Sequence, residues 1–191
     1  AYATNGATSG TPPANQTKTH GVDLTLATNT GSLVKADYTF TGWNTATDGS
    51  GTHYDAGTTY NIDASATLYA EWTPENNSFE FAFDITLPTY TSSINTTTAT
   101  TSLNDPTLNS CGIVTGQATV WYTYTPTANT AIAIDTFGSD YDTFIAVWTD
   151  GASGLELVAC NNDSASSIIG ESQLAIQVQK DITYYIEIGQ P

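Results

Sequence analysis

Threonine occupies 36 of the 191 positions, and the apolar residues fall in many short runs in which they alternate with polar residues. β-Branched and aromatic residues favour strands, and an alternation of period two gives a strand one buried face and one exposed face. Eleven tyrosines and four tryptophans supply enough apolar surface for a packed core, which excludes a disordered chain. The sequence therefore predicts an all-β protein.

The chain is strongly acidic, with three lysines, no arginine and a formal net charge of −16. This charge repels nucleic-acid phosphates and anionic membrane surfaces, and no basic stripe offsets it. No apolar run approaches the roughly 18 residues of a membrane-spanning helix, and the first residues lack the charged and apolar regions of a signal peptide. We therefore expect no nucleic-acid partner and no membrane insertion. The acidic, Thr-rich, strand-forming composition is typical of a protein that lies outside the cell.

The two cysteines, Cys111 and Cys160, lie far apart in strand-like sequence, without the close pairs typical of zinc or redox sites. A structural disulfide is the favoured interpretation. It would close a loop of about 50 residues and contribute about 3–4 kcal/mol by the loop-entropy estimate. Because disulfides persist in oxidising compartments, this interpretation favours an extracellular or cell-surface protein.

The residue pattern of the sequence changes near residue 74. Residues 1–73 contain closely spaced glycine turns and end in the alternating run Thr67–Trp72. Pro74 and the polar residues through Ser78 then break the pattern. We predict a first domain over residues 1–73, a linker over 74–78 and a second domain over 79–191.

Seven short alternating runs at fairly even spacing follow the linker, which predicts a β-sandwich or jelly roll. The runs are Phe79–Ile85, Thr119–Tyr124, Ala131–Phe137, Thr143–Trp148, Leu155–Cys160, Leu174–Val178 and Tyr184–Ile188. Residues 89–118 are rich in Thr and Ser and weakly patterned. These residues predict a long connection that crosses the sandwich and contains one irregular edge strand.

Three motifs of the first domain occur in a fixed order: YTFTGWN at 38–44, DGSG at 48–51 and LYAEW at 68–72. With these motifs, the segment from Asn5 to Trp72 resembles the internalin-type B repeat, also called the Listeria-Bacteroides repeat. The resemblance implies a small β-grasp-like module of the kind strung along bacterial surface and secreted proteins. It also implies a spacer or adhesive role rather than a catalytic one.

The second domain carries CG at 111–112, VWYTYTP at 120–126, DTFGSDYDT at 135–143, LVACNND at 157–163 and TYYI at 183–186. In these motifs it resembles the bacterial pre-peptidase C-terminal (PPC) domain. The resemblance implies a jelly-roll-like antiparallel β-sandwich, common on secreted proteases, whose cysteines often pair at these two places. Such domains continue through a glycine-rich turn into a final strand, whereas this chain stops at Pro191. We therefore expect a sandwich that lacks its final strand.

The chemistry that the residues favour most is a calcium site in the second domain. Asp140 and Asp142 point the same way if the chain is extended, and Asn161, Asn162 and Asp163 directly follow a cysteine. Carboxylate and amide oxygens suit Ca²⁺, which takes about six to eight oxygen ligands. The alternative is that Asp and Asn occupy turns because their side chains bond the local backbone.

Catalysis has little support in the sequence. Both histidines, His20 and His53, fall in turns of the first domain, whereas a Ser-His-Asp triad needs a histidine between nucleophile and carboxylate. Acid pairs such as Asp140 and Asp142 also lie in turns, without a flanking pattern that would raise the pKa of one of them. We interpret the chain as not an enzyme.

Two features bear on carbohydrate. The four tryptophans would stack on sugars if exposed, but all fall in strand patterns where large rings usually fill the core. Asn15, Asn76, Asn95 and Asn162 begin Asn-X-Ser/Thr sequons and are candidate glycosylation sites. In a chain this rich in Thr and Asn several sequons arise by chance, so their number alone does not indicate a glycoprotein.

These observations predict a non-catalytic structural or adhesive segment of a prokaryotic surface protein or extracellular fibre. The alternative is an accessory domain that targets a secreted hydrolase to its substrate or to carbohydrate. A missing strand would leave an open sheet edge, which another copy of the chain could fill and so extend a fibre. The segment Ala1–Thr4 is a candidate for pairing across copies, with pairing inside its own domain as the alternative.

Overall fold

The computed structural model describes residues 1–86, 88–101, 105–108, 111–113, 116–163 and 170–191. Almost all of its regular structure is strand, so the predicted all-β fold class is confirmed. The chain divides into two compact units, Ala1–Pro74 and Glu75–Pro191, called unit 1 and unit 2 below.

Unit 1 contains a four-stranded sheet and a two-stranded sheet. Its strands are β1 (Tyr2–Ala3), β2 (Leu24–Thr25), β3 (Tyr38–Asn44), β4 (His53–Tyr54), β5 (Thr59–Tyr60) and β6 (Leu68–Pro74). The larger sheet has the order β1-β6-β3-β4, and β2 pairs with β5. Tyr2 and Ala3 pair in parallel with Leu68 and Tyr69. The N-terminal segment therefore adds a strand to its own unit.

Aromatic rings form the core of unit 1. Trp43 is fully buried, and its ring centroid lies 4.6 Å from that of Tyr2. The indole N–H of Trp43 donates to the carbonyl of Ala27 at 2.8 Å, and that of Trp72 donates to Asn5 at 2.9 Å. Each ring thus fills the core and also fastens an irregular segment to the sheet.

A bulge in β3 explains the glycine of the YTFTGWN motif. The register with β6 shifts between Phe40 and Gly42, and Gly42 has a φ of +153°. A Cβ at this position would lie 2.6 Å from the carbonyl oxygen of Tyr54 on β4. Only glycine lets the neighbouring strand approach this closely.

The described residues of unit 2 form a 3₁₀ turn at Phe79–Phe81 and seven strands. The strands are β7 (Phe83–Asp84), β8 (Gln117–Tyr124), β9 (Thr130–Asp135), β10 (Phe144–Gly151), β11 (Gly154–Asn161), β12 (Gln173–Val178) and β13 (Tyr184–Gln190). They form a five-stranded sheet of order β11-β10-β13-β8-β7 and a two-stranded sheet of β12 and β9. Every pairing is antiparallel except that of β7 with β8.

Two predicted strand positions differ from the structure. The run Phe79–Ile85 is mostly not a strand, because the N–H of Phe81 bonds to the carbonyl of Ser78 and closes a 3₁₀ turn before the short β7. Within residues 89–118, the described part contains no strand before β8 begins at Gln117. The remainder of that predicted connection, residues 102–104, 109–110 and 114–115, lies outside the described residues.

The strand that ends the chain lies inside the large sheet. β13 pairs with β10 on one side and with β8 on the other. β13 itself therefore has no open edge, and the expectation that the sandwich lacks its final strand stays a prediction. Among the described strands, β9 lies at an open edge of unit 2.

Both faces of the five-stranded sheet are covered. One face packs against β9 and β12 through Val120, Tyr122, Ile145, Val147 and Ile186. The opposite face, called the outer face below, carries Trp121, Phe144, Ala146 and Trp148 under Leu108 and Ile113. Because both faces are buried, β8 and β10 contain continuous buried runs instead of a simple alternation.

Candidate functional site

The predicted calcium ligands gather at one end of unit 2. Asp142 lies just before β10, and Asn161 ends β11. These strands are antiparallel neighbours in which Ile145 faces Asn161. The residues that follow Asn161 therefore start beside the beginning of β10, where Asp142 lies. The structure thus brings the two acidic turns to the same end of the sheet.

Gly170 closes this end from a third segment. Its carbonyl accepts a hydrogen bond from the N–H of Thr143 at 3.1 Å. A Cβ on Gly170, whose φ is +82°, would lie 2.2 Å from Oδ1 of Asp142. The backbone of Gly170 therefore packs directly against the Asp142 carboxylate, a contact that any larger residue would prevent.

Buried hydroxyl groups fix the base of this end. The hydroxyls of Thr136 and Thr143 are hydrogen-bonded to each other, and both accept from the N–H of Ser172. The Ser172 hydroxyl donates to the carbonyl of Thr143 at 2.7 Å. All three residues are buried, so the network holds the ends of β9, β10 and β12 in one geometry.

The two asparagines differ in their bonding. Oδ1 of Asn161 accepts from the N–H of Gln173 at 3.3 Å, which ties β11 to β12. Oδ1 of Asn162 is buried and has no hydrogen-bond partner among the described residues. A buried carbonyl oxygen without a donor is costly, and a hard cation would satisfy it.

The carboxylates are less closely grouped. Asp140, Asp142 and Asp163 are all exposed. Among the described residues no three His, Cys, Asp or Glu side chains form a group that could hold a metal ion. A calcium ion here would need amide or backbone oxygens beside the carboxylates, which is chemistry that Ca²⁺ accepts. Calcium binding stays a prediction.

The histidines lie in unit 1, and both contact carboxylates. His20 is highly exposed beside Asp63. His53 begins β4, with Nδ1 at 2.7 Å from Glu71 and Nε2 at 3.2 Å from Asp55. The hydrogen bond to Glu71, followed by the contact with Asp55, raises the pKa of His53. Held between two acids, this ring is suited to pinning β4 to β6.

Cys111 and Cys160 form a disulfide, with their Cα atoms 6.0 Å apart. Cys160 lies in β11, whereas Cys111 belongs to the segment that covers the outer face of the large sheet. The bond therefore ties this covering segment to the sheet edge.

The sequons are placed differently from one another. Asn15 and Asn95 are exposed. Asn76 is fully buried, and its Nδ2 donates to the carbonyl of Trp121 at 2.9 Å. The candidate site at Asn76 is therefore wrong, because this fold has no space for a glycan there. Asn162 is half-buried, and Ser164 of its sequon lies outside the described residues.

The four tryptophans are 0–4% exposed, so their prediction as core residues is confirmed. None offers a face for stacking on a sugar. No pattern in the sequence predicted that the aromatic side chains of Phe81, Tyr90 and Phe137 are exposed. It also did not reveal a cavity of about 250 Å³ in unit 1, whose lining includes Leu24, Tyr60 and the ion pair of Lys18 with Asp63.

Comparisons with known proteins find a similarity in the first part of the chain. Residues 1–71 match the Listeria-Bacteroides repeat domain, which confirms the resemblance of unit 1. The resemblance of unit 2 to the PPC domain stays a prediction. No solved structure matches the chain.

Two relatives come from Evansella cellulosilytica. One, whose name describes it as a Gly-rich membrane protein, is 48% identical over 54 residues, which cover 28% of this chain and 6% of the relative. The other, named as a membrane protein, is 37% identical over 76 residues, which cover 39% of this chain and 11% of the relative. The chain thus spans a small fraction of both relatives. Among its described residues, no helix has the length and apolar character to cross a membrane.

Proposed function

We propose that this chain is a non-catalytic structural or adhesive segment of a prokaryotic surface protein or extracellular fibre. The observation that carries the proposal is the match of residues 1–71 to the Listeria-Bacteroides repeat. The similar regions of the two relatives occupy 6% and 11% of much longer proteins, both named as membrane proteins. A compact module that makes up a small part of a long protein suits a spacer or an adhesive unit.

The disulfide of unit 2 supports a location outside the cytoplasm, because glutathione and thioredoxin keep cytosolic thiols reduced. Antibodies against the 191-residue chain, applied to intact and to permeabilised source cells, test this location. We expect labelling of intact cells, and protease treatment of those cells should remove it. Labelling that requires permeabilisation would contradict the proposal.

Unit 2 is proposed to be a PPC-like sandwich. Its five-stranded and two-stranded sheets pack around one apolar cluster, and its cysteines are joined at the two places that the resemblance implies. The alternative function, targeting of a secreted hydrolase to carbohydrate, follows from the same resemblance. Binding of the purified chain to a panel of insoluble polysaccharides separates the two: retention on one polymer favours targeting, and no retention favours a structural role.

A non-catalytic role agrees with the bonding of His53. Both rings contact carboxylates, and His53 has an acid at each nitrogen. Such a ring has no nitrogen left to activate a serine or a water. Turnover of ester, peptide or glycoside substrates by the purified chain would contradict this part of the proposal.

Association with another copy of the chain is proposed at β9. The N–H of Thr136 and the N–H of Gln173 bond to Ser172 and Asn161 respectively. Thr136 is therefore a hydrogen-bonded partner of Ser172, and in an antiparallel pair every second residue bonds its partner strand. With the register of β9 and β12, the even-numbered residues of β9 direct their backbone N–H and C=O groups towards β12. Ala131 and Ala133 therefore direct their backbone groups away from β12, to an edge that no described strand covers. Open edges of this kind recruit strands.

Light scattering of the chain over a range of concentrations tests this association. We expect dimers or larger species, and we expect Ala133→Pro to remove them, because proline deletes an outward N–H without breaking a bond to β12. Ala175→Pro is the control on the neighbouring strand. A monomer at millimolar concentration would exclude strand addition at this edge.

Glycan attachment is proposed at the exposed sequons, Asn15 and Asn95. Mass spectrometry of peptides from the native protein tests it. Unmodified peptides at both positions would exclude the proposal.

A further inference from the structure

One acidic side chain is almost completely buried in unit 2. Glu187 is 1% exposed and lies on the central strand β13, between Trp121 of β8 and Ala146 of β10. The indole N–H of Trp148 donates to Oε2 of Glu187 at 3.0 Å. A carboxyl group in this apolar setting is poorly solvated, so burial alone favours its neutral form.

A second carboxyl group reaches the same face. Asp105 belongs to the segment that covers the outer face, and its Oδ2 accepts from the hydroxyl of Thr119 at 3.1 Å. Thr119 is fully buried and precedes Trp121 by two residues on β8, so both side chains lie on one face of the strand. Thr119 thus holds Asp105 on the face that carries Glu187.

The surroundings supply little to offset a negative charge. Lys180 is the lysine of unit 2, and it is exposed beside Asp181. Burial first, and the charge of Asp105 second, raise the pKa of Glu187 to about 8, against the opposing hydrogen bond from Trp148. The nearby disulfide does not titrate.

We propose that Glu187 is a proton-controlled latch: its neutral carboxyl group lets the segment Asp105–Leu108 pack on the outer face of the five-stranded sheet, and loss of its proton loosens that packing. Leu108 is 3% exposed and belongs to the same apolar cluster as Trp121 and Trp148. An ionised Glu187 would be a buried charge beside a second carboxylate. Water would then have to enter, and moving this segment aside is the direct route.

The direction of the pH dependence follows from the raised pKa. Between the ordinary value of 4.5 and about 8, folded unit 2 holds a proton that the unfolded chain has lost. Stability therefore falls as pH rises through this window, and the folding equilibrium constant changes by up to about tenfold per pH unit. Tyr185, also on β13, has a pKa raised above 10.0 by burial and by Asp150, so it titrates outside this window.

The substitution Glu187→Gln tests the latch in the 191-residue chain. Glutamine keeps the shape and can accept from Trp148, but it has no proton to lose. We expect the wild-type indole N–H resonance of Trp148 to shift with a midpoint near pH 8. The melting temperature of unit 2 should fall between the ordinary pKa of 4.5 and about 8 and level off at higher pH. In the Glu187→Gln variant, neither the Trp148 resonance nor the melting temperature of unit 2 should change with pH in this way. Glu75→Gln, at an exposed acid of the same unit, should behave like the wild type.

A folded Glu187→Gln variant that keeps the wild-type slope and the wild-type resonance shift would overturn the proposal. If that variant does not fold, Asp105→Asn decides the question. Removal of the Asp105 charge should lower the midpoint of the Trp148 titration, and an unchanged midpoint would overturn the proposal. Thermolysin cleavage near Leu108 at pH 9 but not at pH 6, in the wild type, would locate the loosened segment.

Discussion

The two units bury their tryptophans equally deeply but hold the surrounding irregular segments by different means. In unit 1, the indole groups of Trp43 and Trp72 donate to loop carbonyls, so the core rings themselves fasten the loops. In unit 2, the segment over Trp121 and Trp148 is joined to β11 by the disulfide of Cys111. The first arrangement depends on the packing of a few rings, and the second depends on a covalent bond.

This difference has a physical reason. The sheets of unit 1 include four strands of only two residues, so few ladder hydrogen bonds are available and the side chains must order the rest. Unit 2 has a sheet with strands of up to eight residues, and its outer face needs only a cover. We therefore expect the two units to respond to different perturbations.

Removal of the central ring of unit 1 should have the largest effect. Trp43→Ala leaves a cavity in a fully buried site and deletes the bond to Ala27, which should cost about 3–5 kcal/mol. Calorimetry should show the transition of unit 1 lowered or lost and that of unit 2 unchanged. Trp43→Phe, which keeps a ring, should cost less. Equal destabilisation of both units would show that Trp43 does not stabilise unit 1 specifically.

Loss of the disulfide should act on unit 2 alone. Cys111→Ala with Cys160→Ala should cost unit 2 about 2–4 kcal/mol, because the bond closes a sequence separation of 49 residues. Amide hydrogen exchange should increase around Ile113 and remain unchanged in β3. Reduction of the wild type should reproduce the effect, and unchanged exchange at Ile113 would contradict it.

Calcium should affect the stability of unit 2 and not that of unit 1, because its predicted ligands belong only to unit 2. A cation that binds the native state at a concentration of 100 times its Kd stabilises it by about 2.7 kcal/mol. We expect millimolar Ca²⁺ to raise the melting temperature of unit 2 and a chelator to reverse the shift. Asp142→Asn should weaken the response, and Asp150→Asn, at the other end of β10, should not.

A melting temperature that does not respond to Ca²⁺, with no chemical-shift change at Asn161 or Asn162, would exclude the site. An equal response to Mg²⁺ would indicate general screening of the acidic end rather than a built calcium site.

The smallest effect is expected from the pH dependence of unit 1. The raised pKa of His53 means that its contacts with Glu71 and Asp55 stabilise the protonated form. This contribution is fully present below the unfolded pKa of about 6.5 and is lost as pH rises through the higher folded value. Because 44% of the His53 side chain is exposed, solvent screening should keep the contribution below about 1 kcal/mol.

His53→Gln should flatten the pH dependence of the unit 1 transition, as followed by calorimetry between pH 5 and 8. Asp55→Asn should have a weaker effect than Glu71→Gln, since the Asp55 side chain is 85% exposed and that of Glu71 only 14%. A larger effect of Asp55→Asn would show that Asp55, and not Glu71, is the main partner of protonated His53.

The sequence alone determined the strand-rich fold, the burial of the tryptophans and the similarity of the first part to a surface repeat. These properties depend on neighbouring residues: alternation of period two places side chains on one face, and the YTFTGWN and LYAEW motifs are contiguous. The same reasoning from neighbouring residues wrongly predicted a strand at Phe79–Phe81. A short apolar run also suits a 3₁₀ turn, and here the ring of Phe79 in that turn packs on Trp121.

Contacts between residues that lie far apart along the chain could be identified only from the folded structure. Asn76 belongs to a sequon, yet its amide bonds to Trp121, 45 residues further on, and is buried. Glu187 occupies an alternating run typical of an exposed position, but a segment whose described residues form no strand covers that face and brings Asp105 with it. A one-dimensional pattern specifies the faces of a strand, whereas what covers each face depends on contacts between distant segments.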